Sequence, residues 1–383
     1  MNERIVSHVL GLSFLLSVIL AGGCMSSPPE KTEMQGTSSE IMIKNISVDD
    51  YSVKGENEQN FSEVPQRVIA IGMEEVEMVL AFADMDQILG IYGFNDLQDF
   101  LKPEYKEKMK GVNILSRGEV NRERLIELNP DLIVAEQCSY TPGALQSTDF
   151  WNDRNVKTYV PLSSNSPEKH LREETIEAEL RYIRDFGRIF RREQRADAFI
   201  ADIQGVLDFF DENRGNRPER RVMVVENFGK NIASYDKTKL AGQIITRLGG
   251  VVPVTAPIIG KEDIIEENPD ILFVVCSDGS HGESMRFFTD DPIFREMECI
   301  KNSEIYSIEL ESIYSPGIRI KDGIERIGLG MYPDLRSDYQ KLQKDSINPS
   351  YIDWLRYKDM SDFKQESLSL IHISEPTRPE PIS

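Results

Sequence analysis

The chain has 383 residues, of which 40% are hydrophobic and 28% charged, and its formal net charge is −21. This length allows two domains, and the hydrophobic fraction is sufficient for a large core. Because nucleic-acid binding needs clustered Lys and Arg, the acidic composition argues against a nucleic-acid partner.

Residues 1–23 have the layout of a signal peptide. Arg4 supplies a short positive region, and positions 9–20 form an apolar run that is short for a membrane span. The small residues AGG then lead into Cys24, which resembles the lipidation site of a lipoprotein. We expect residues 24–60 to be a lipid-anchored flexible linker with an entry strand. The predicted location is extracytoplasmic, anchored to the cell membrane in the periplasm or at the outer surface; an ordinary cleaved signal with an incidental cysteine is the alternative.

Short apolar runs alternate with helical patterns between residues 61 and 192. Strands are predicted at 67–72, 87–92, 131–136 and 156–161, with helices near 74–83 and 121–128. Near-continuous apolar strands separated by helices indicate a parallel sheet that is covered on both faces. Residues 61–192 are therefore predicted to form an N-terminal α/β lobe.

A long helical region follows, and then the strand pattern restarts. Residues 170–193 are predicted to form one helix and residues 193–215 a second, which Gly215 and Pro218 end. Further strands are predicted at 220–226, 251–254, 270–276 and 304–309, with helices near 240–248 and 318–329. Residues 216–367 are therefore predicted to form a C-terminal α/β lobe, with 193–215 as the interlobe helix.

One phrase occurs twice, as LIELNPDLIV at 125–134 and as IIEENPDILF at 264–273. In each copy Pro should end a helix and hold the preceding Asn in an extended conformation, while the Asp caps the turn before a buried strand. A single phrase of this kind is a common connection between a helix and a strand in α/β proteins. Two copies at matching places predict a pseudo-symmetric protein, with two Rossmann-like lobes that contain parallel sheets and are joined by one long rigid α-helix.

These residues together resemble the substrate-binding proteins of ABC importers for cobalamin, ferric siderophores and haem. The resemblance covers roughly residues 46–335 and rests on RVIAIGMEEVEMVLAFAD, GEVNRERLIELNPDLIVAE, ADAFIADIQGVLDFFDE, LAGQIITRLGG, the second NPDILFVV and SPGIRIKDGIERIGLGMYPDL. It implies capture of a small-molecule metal chelate, namely a ferric siderophore, haem or cobalamin, and its delivery to an ABC permease dimer with its ATPase. The chelate would be cargo, and no resident cofactor is implied.

The resemblance also implies where the permease docks. In the family a Glu from each lobe contacts arginines of the transporter, and the matching positions are Glu123 in NRER and Glu262 in GKED. Both residues lie early in a predicted helix, where the helix dipole favours a carboxylate. Stabilisation of the helix alone is the alternative role.

Ligands of open α/β sheets bind beyond the carboxyl ends of the strands. In the first lobe this rule nominates Met73, Glu74, Tyr92, Phe94, Asn95, Arg117, Glu119, Gln137 and Tyr140. In the second lobe it nominates Asn227, Phe228, Ser234, Tyr235, Ser277, Asp278, His281, Tyr314 and Arg319. The aromatic side chains suit the apolar body of a macrocycle, and Arg117 or Arg319 suits an anionic group. These loops contain no Trp, which favours an iron chelate over cobalamin, and His281 is a candidate metal ligand.

Two other functional classes and two local features complete the predictions. The sequence has no nucleophile elbow, P-loop, dinucleotide fingerprint or zinc-protease motif, so we expect no catalysis. A second function, that of a surface ligand sensor or holding protein that is not coupled to a transporter, stays an open alternative.

Cys276 and Cys299 could pair, but buried free thiols are the expectation. The stretch LSLIHISEPTR begins a segment, 368–383, that resembles a translated sequencing adapter and is left out of the fold.

Overall fold

The computed structural model describes residues 40–93, 101–164, 172–254, 256–276, 281–343 and 346–349. The predicted signal peptide, Cys24, Phe94, Asn95, Ser277, Asp278 and the adapter-like segment lie outside these ranges. Within them, no helix combines the length and the apolar character that are needed to cross a membrane. Cys276 and Cys299 are both buried and are not joined by a disulfide.

The described chain begins with an antiparallel hairpin, which consists of β1 (Ile41–Asp49) and β2 (Ser52–Phe61). Two of its buried amide side chains reach the last strand of the adjacent sheet. Asn45 exchanges two hydrogen bonds of 2.9 Å with the backbone of Val160, and the backbone N–H of Thr158 donates to Gln59 at 2.9 Å. Side-chain amides therefore satisfy main-chain groups that an edge strand would leave unpaired.

The first lobe contains, in its described part, a four-stranded parallel sheet with the order β4-β3-β5-β6. Its strands are β3 (Val68–Ile71), β4 (Ile88–Tyr92), β5 (Leu132–Ala135) and β6 (Lys157–Tyr159). Its helices are α1 (Met73–Phe82), α2 (Pro103–Met109), α3 (Arg122–Leu128), α4 (Thr148–Asn152) and α5 (Ile176–Ile189). The buried, near-continuous apolar strands match the predicted sheet.

The first helix after β6 is shorter than the one predicted over 170–193. Helix α5 begins at Ile176, where the Thr175 side chain accepts a hydrogen bond from the Ala178 N–H at 3.1 Å. It ends before Arg191, which has a φ of 54° and so cannot continue a right-handed helix. The next helix is α6 (Glu193–Asn213).

Helix α6 bridges the two lobes and is fixed at both ends. Phe199, near its start, packs on Phe82 of the first lobe with ring centroids 5.8 Å apart. Phe210, near its end, stacks on Tyr339 of the second lobe at 5.8 Å. Aromatic contacts of this kind each add about 1 kcal/mol beyond the buried area, so the helix is a stiff connection rather than a loose linker.

The second lobe contains, within the described ranges, a five-stranded sheet with the order β11-β10-β7-β8-β9. Its strands are β7 (Val222–Asn227), β8 (Ile232–Ser234), β9 (Ile258–Ile259), β10 (Ile271–Cys276) and β11 (Ile305–Glu309). Its helices are α7 (Leu240–Arg247), α8 (Lys261–Glu267), α9 (His281–Thr289), α10 (Glu298–Lys301), α11 (Ile320–Met331) and α12 (Arg336–Leu342).

Two details of the second sheet differ from the prediction. Strands β7, β10 and β11 are parallel, but β8 and β9 are antiparallel, because a tight turn containing Gly229 with a φ of 80° folds β8 back on β7. The strand predicted at 251–254 is wrong. Val251 makes only an isolated bridge to Arg221, and Pro253 has no N–H to donate to a sheet.

The repeated phrase ends a helix in both lobes, but its Asn is not extended as predicted. Asn129 and Asn268 have φ angles of 52° and 40°, and both end their helices in the left-handed conformation. Among non-glycine residues, Asn adopts this conformation readily and is a common helix cap. The correction strengthens the symmetry, since the two copies share a specific backbone geometry.

The Asp of each copy fastens the first strand of its lobe. Asp131 accepts the backbone N–H of Arg67 at 2.9 Å, directly before β3. Asp270 accepts the backbone N–H of Arg221 at 2.7 Å, directly before β7. The side chains of Arg67 and Arg221 also donate to carbonyl groups at the ends of α3 and α8, the helices that end in the repeated phrase. In each lobe the repeated phrase therefore connects the end of one helix to two neighbouring strands.

Candidate functional site

The carboxyl ends of β3 and β5 lie side by side, with Ile71 paired to Ala135. Strand β4 lies on one side of β3, and strand β5 lies on the other. The order in which successive strands are added to the sheet therefore changes direction at β3. Such a switch point is the usual ligand site of an open α/β sheet. Gly72, with a φ of 124°, turns the chain into α1, and Glu136 follows β5 at the same edge.

Three carboxylates meet at this switch point. Oxygens of Glu74, Glu75 and Glu136 all lie within 4.8 Å of one another. Glu75 is fully buried, Glu74 is 6% exposed and Glu136 is half-buried. Burial raises the pKa of all three carboxyl groups, and the neighbouring carboxylates raise those of Glu74 and Glu75 further. The site therefore holds protons or a cation much more readily than exposed glutamates do.

Residues of both lobes meet beside this cluster. Met73, Glu74 and Leu101 of the first lobe, with Glu311 and Arg319 of the second, line a small pocket. This pocket between the described residues is too small for a siderophore or a macrocycle, so a ligand of that size has to widen it.

Two buried ion pairs join the lobes across the cleft. The Arg319 guanidinium pairs with Glu77 of α1, and the Lys102 ammonium lies 3.1 Å from Asp322 of α11. Burial acts to lower the pKa of Arg319, but the Glu77 carboxylate outweighs it and the net shift is upward. Arg319, which we nominated to meet an anionic ligand, is thus engaged by a carboxylate of the other lobe.

Two further buried carboxyl groups lie between the lobes. Burial raises the pKa of Glu311 to about 7 and that of Glu179 to about 7. Glu179 on α5 accepts the backbone N–H of Gly317 in the second lobe at 2.7 Å. The interior of the cleft is therefore rich in carboxyl groups, which suits a cationic or metal-containing ligand better than a free anion.

The other nominated residues of the first lobe are in varied settings. Tyr92 is buried at the end of β4, where its carbonyl accepts the Gly72 N–H at 2.9 Å. Tyr140 is fully buried, and its hydroxyl has no hydrogen-bond partner among the described residues. Arg117 is exposed in a short 3₁₀ turn, so it does not join the residues that line the pocket.

The nominated residues of the second lobe are mostly engaged with other protein groups. The Tyr235 hydroxyl donates to Glu226 at 2.8 Å, and the His281 Nδ1 lies 2.6 Å from the Ser307 hydroxyl. Asn227 accepts the Gly229 N–H, while Phe228 is 62% exposed at the β7–β8 turn and Tyr314 is half-buried. Their roles in ligand binding stay predictions.

Glu123 and Glu262 occupy equivalent places in α3 and α8, the two helices that end in the repeated phrase. Both side chains are exposed, and each is followed two residues later by a buried residue that anchors its helix, Leu125 or Ile264. A hydrogen bond from Arg122 lowers the pKa of Glu123, which keeps it charged. Glu123 and Glu262 therefore place a carboxylate at the same position of a rigidly attached helix in each lobe.

Of the three clustered carboxylates, only Glu74 was nominated from the sequence, whereas Glu75 and Glu136 were not. Glu77 and Glu311, which lie beside the cluster, were not nominated either. A local signal exists in MEEVEMVL, where three Glu residues interrupt an otherwise apolar helix that follows a buried strand. In the structure all three are buried, since α1 packs on neighbours around nearly its whole circumference.

Comparisons with known proteins agree with this architecture. The family model for periplasmic binding proteins matches residues 68–310, well over half of the chain. YvrC of Bacillus subtilis, an uncharacterized ABC transporter substrate-binding lipoprotein, is 20% identical over 84% of this chain and 96% of its own. The ferric-anguibactin-binding protein FatB of Vibrio anguillarum is 24% identical over 65% of this chain and 76% of FatB. A periplasmic binding protein from Veillonella parvula superposes with a TM-score of 0.71 and 28% identity, over 79% of this chain and 94% of that one. The chain belongs to the periplasmic binding protein family.

Proposed function

We propose that this chain is the solute-binding component of an ABC importer and that its cargo is a metal chelate, with a ferric siderophore or haem favoured over cobalamin. The observation that carries the proposal is a cleft lined by both lobes, with Met73 and Glu74 on one side and Glu311 and Arg319 on the other. A ligand bound there touches both lobes, so it stabilises one relative position of the lobes that a permease can recognise. Similarity to FatB, a relative that is named as a ferric-anguibactin-binding protein, supports this class of cargo.

Helix α6 limits the opening that binding requires. Its two ends are packed on different lobes through Phe199 and Phe210, so a wide hinge motion would break aromatic contacts at one end. Small openings that separate Arg319 from Glu77 leave both ends packed. We therefore expect a cleft that widens by local movement around the ion pairs, rather than by a large rotation of the lobes.

The proposed partner is a permease dimer with its ATPase. Glu123 and Glu262 supply one exposed carboxylate per lobe at equivalent positions, which suits two matching arginine pockets on a symmetric transporter. Acylation of Cys24 would tether the protein to the membrane beside that transporter. Capture and release need no chemical step and no resident cofactor, so the protein acts without catalysis.

Native mass spectrometry of the purified protein tests the cargo class directly. We expect one of three ligands, a ferric siderophore, haem or cobalamin, to form a one-to-one complex that survives dilution. Failure of every member of this panel to bind contradicts the proposed cargo.

Uptake by cells that carry the permease and ATPase distinguishes an importer from a sensor. We expect accumulation of the bound chelate to depend on this protein. Tight binding without any contribution to uptake supports the alternative role, a surface sensor or holding protein.

A further inference from the structure

We propose that Glu74, Glu75 and Glu136 bind a hard, oxygen-preferring metal cation directly, and that a trivalent ion such as ferric iron matches their combined charge. The inference rests on the proposed function in one respect, namely that cargo enters the protein through the cleft between the lobes. It adds that protein oxygens bind the metal itself, at coordination positions that the chelator leaves free. The three carboxylates lie within 4.8 Å of one another, a spacing that one ion can bridge.

The first independent observation is that Glu75 is fully buried while neither of its carboxylate oxygens has a hydrogen-bond partner among the described residues. The backbone amide of Glu75 lowers the pKa of this carboxyl group, but burial and the neighbouring carboxylates outweigh it. Buried polar groups are almost always paired, and an isolated buried carboxylate is especially costly. A cation between the three carboxylates supplies the missing partner.

The second observation concerns two buried tyrosines whose phenols are influenced by the charge of Glu75. Tyr140 and Tyr182 are fully buried, and neither hydroxyl has a hydrogen-bond partner in the described part of the chain. Burial raises the pKa of both phenols, and the charge of Glu75 raises it further, which places both rings within electrostatic range of Glu75. Glu75, Tyr140 and Tyr182, on three separate elements, therefore carry buried oxygens without a described partner, and both phenols feel the charge of Glu75.

The donor set decides the class of cation. Carboxylate and phenol oxygens prefer hard ions such as ferric iron, calcium or manganese, whereas zinc and copper favour sites with nitrogen or sulfur. Cys138 lies beside the cluster, but burial raises the pKa of its thiol and its Sγ donates to Glu136 at 3.1 Å. It is therefore a hydrogen-bond donor rather than a thiolate ligand. Three carboxylates neutralise a trivalent ion without keeping a proton.

The site has a route to the cleft through Glu74. This residue belongs to the carboxylate cluster and also lines the pocket with Glu311 and Arg319 of the second lobe. A cation that enters between the lobes meets Glu74 first and can pass to Glu75 and Glu136. Separation of the lobes at the ion pair of Arg319 and Glu77 widens the same entrance.

Terbium is a suitable probe because it is a hard trivalent ion whose luminescence nearby tyrosines sensitise. We expect the full chain to give a saturable terbium signal that ferric nitrilotriacetate displaces and zinc does not. Glu75→Gln and Glu136→Gln should each weaken terbium binding at least tenfold. Asp185→Asn is the matched control, since Asp185 is a buried carboxylate of the same lobe that instead accepts the Tyr159 hydroxyl at 3.1 Å; it should bind terbium as the wild type does.

Thermal unfolding supplies a readout that a purely structural role would not give. Without metal, Glu75→Gln should melt at a higher temperature than the wild type, because a neutral amide removes repulsion between buried carboxylates. With terbium, only the wild type and the Asp185→Asn control should gain stability. Equal terbium binding by the wild type and both cluster variants, or none by the wild type, overturns the site.

The outcomes also separate this inference from the proposed function. A chelate that binds the wild type and Glu75→Gln equally leaves the importer role in place and refutes direct contact with the metal. A protein that binds terbium but none of the chelates, and adds nothing to uptake, refutes the proposed function while the cation site stands.

Discussion

The buried ion pair between Glu77 and Arg319 allows the sharpest test of how the lobes are held together. The Arg319 side chain is 13% exposed and that of Glu77 is 2% exposed, so neither charge is well solvated. Besides this pair, Glu77 accepts only a long bond of 3.3 Å from the Lys102 backbone among the contacts of the described residues. Replacing Arg319 by Met therefore leaves a buried carboxylate without a counter-ion.

The expected cost of Arg319→Met is about 3–5 kcal/mol of unfolding free energy, the usual range for breaking a buried pair from one side. The double variant Glu77→Gln with Arg319→Met should recover most of this loss, because no uncompensated charge remains. Urea unfolding of the wild type, both single variants and the double variant measures the coupling. A cost below about 1 kcal/mol for Arg319→Met, or additive single costs, refutes the reasoning, because exposed pairs behave in that way.

Three further predictions concern docking, pH and backbone geometry. Glu123→Lys combined with Glu262→Lys should abolish uptake in cells while chelate affinity measured on the purified protein stays unchanged. Glu179 has a pKa raised from its usual 4.5 to about 7, so its contribution to stability is greatest below pH 4.5, falls as the pH rises to 7 and is constant above. Glu179→Gln should remove this loss of about 3 kcal/mol, seen as a pH-dependent difference in urea unfolding from the wild type. Gly317→Ala should lower the unfolding free energy by at least about 1–3 kcal/mol, because Gly317 has a φ of 53° and an added Cβ would lie 2.6 Å from the Met78 sulfur.

Matched controls exist for the first and last of these. Glu127→Lys alters an exposed carboxylate of the same helix as Glu123, and it should leave uptake intact. Gly215→Ala places a side chain at a φ of 59° in open space, so it isolates the cost of the backbone conformation from that of the clash. Loss of uptake in Glu127→Lys, a pH-independent effect of Glu179→Gln, or equal costs for the two glycine variants would each contradict the corresponding explanation.

The sequence predicted the parts of the fold that depend on local apolar pattern. Buried parallel strands such as Ile271–Cys276 are continuous apolar runs, and the repeated phrase marks helix ends that need no distant contact. The antiparallel hairpin at Ile41–Phe61 is different, because SVKGENEQNF is polar and is held by long-range bonds from Asn45 and Gln59. Such pairing depends on a partner strand about 100 residues away, which no local pattern reveals.

The candidate site could be predicted only in outline. The rule of strand carboxyl ends led to Met73, Glu74 and Tyr140, which lie at the switch point, because connectivity alone fixes that edge of the sheet. It could not identify Glu136 or Glu75 as neighbours, since their closeness follows from the pairing of β3 with β5. It also could not show that Arg319 is engaged by Glu77, because that contact exists only when two lobes far apart in sequence close on each other.

Hydrogen exchange of the full chain, with and without the chelate that it binds, tests most directly whether cargo is held between the lobes. Binding at the cleft should slow exchange together in the first turns of α1, around Met73–Glu77, and in the segment Glu311–Arg319 of the second lobe. Protection of one lobe alone, or of segments away from both of these, would contradict a ligand site shared by the two lobes.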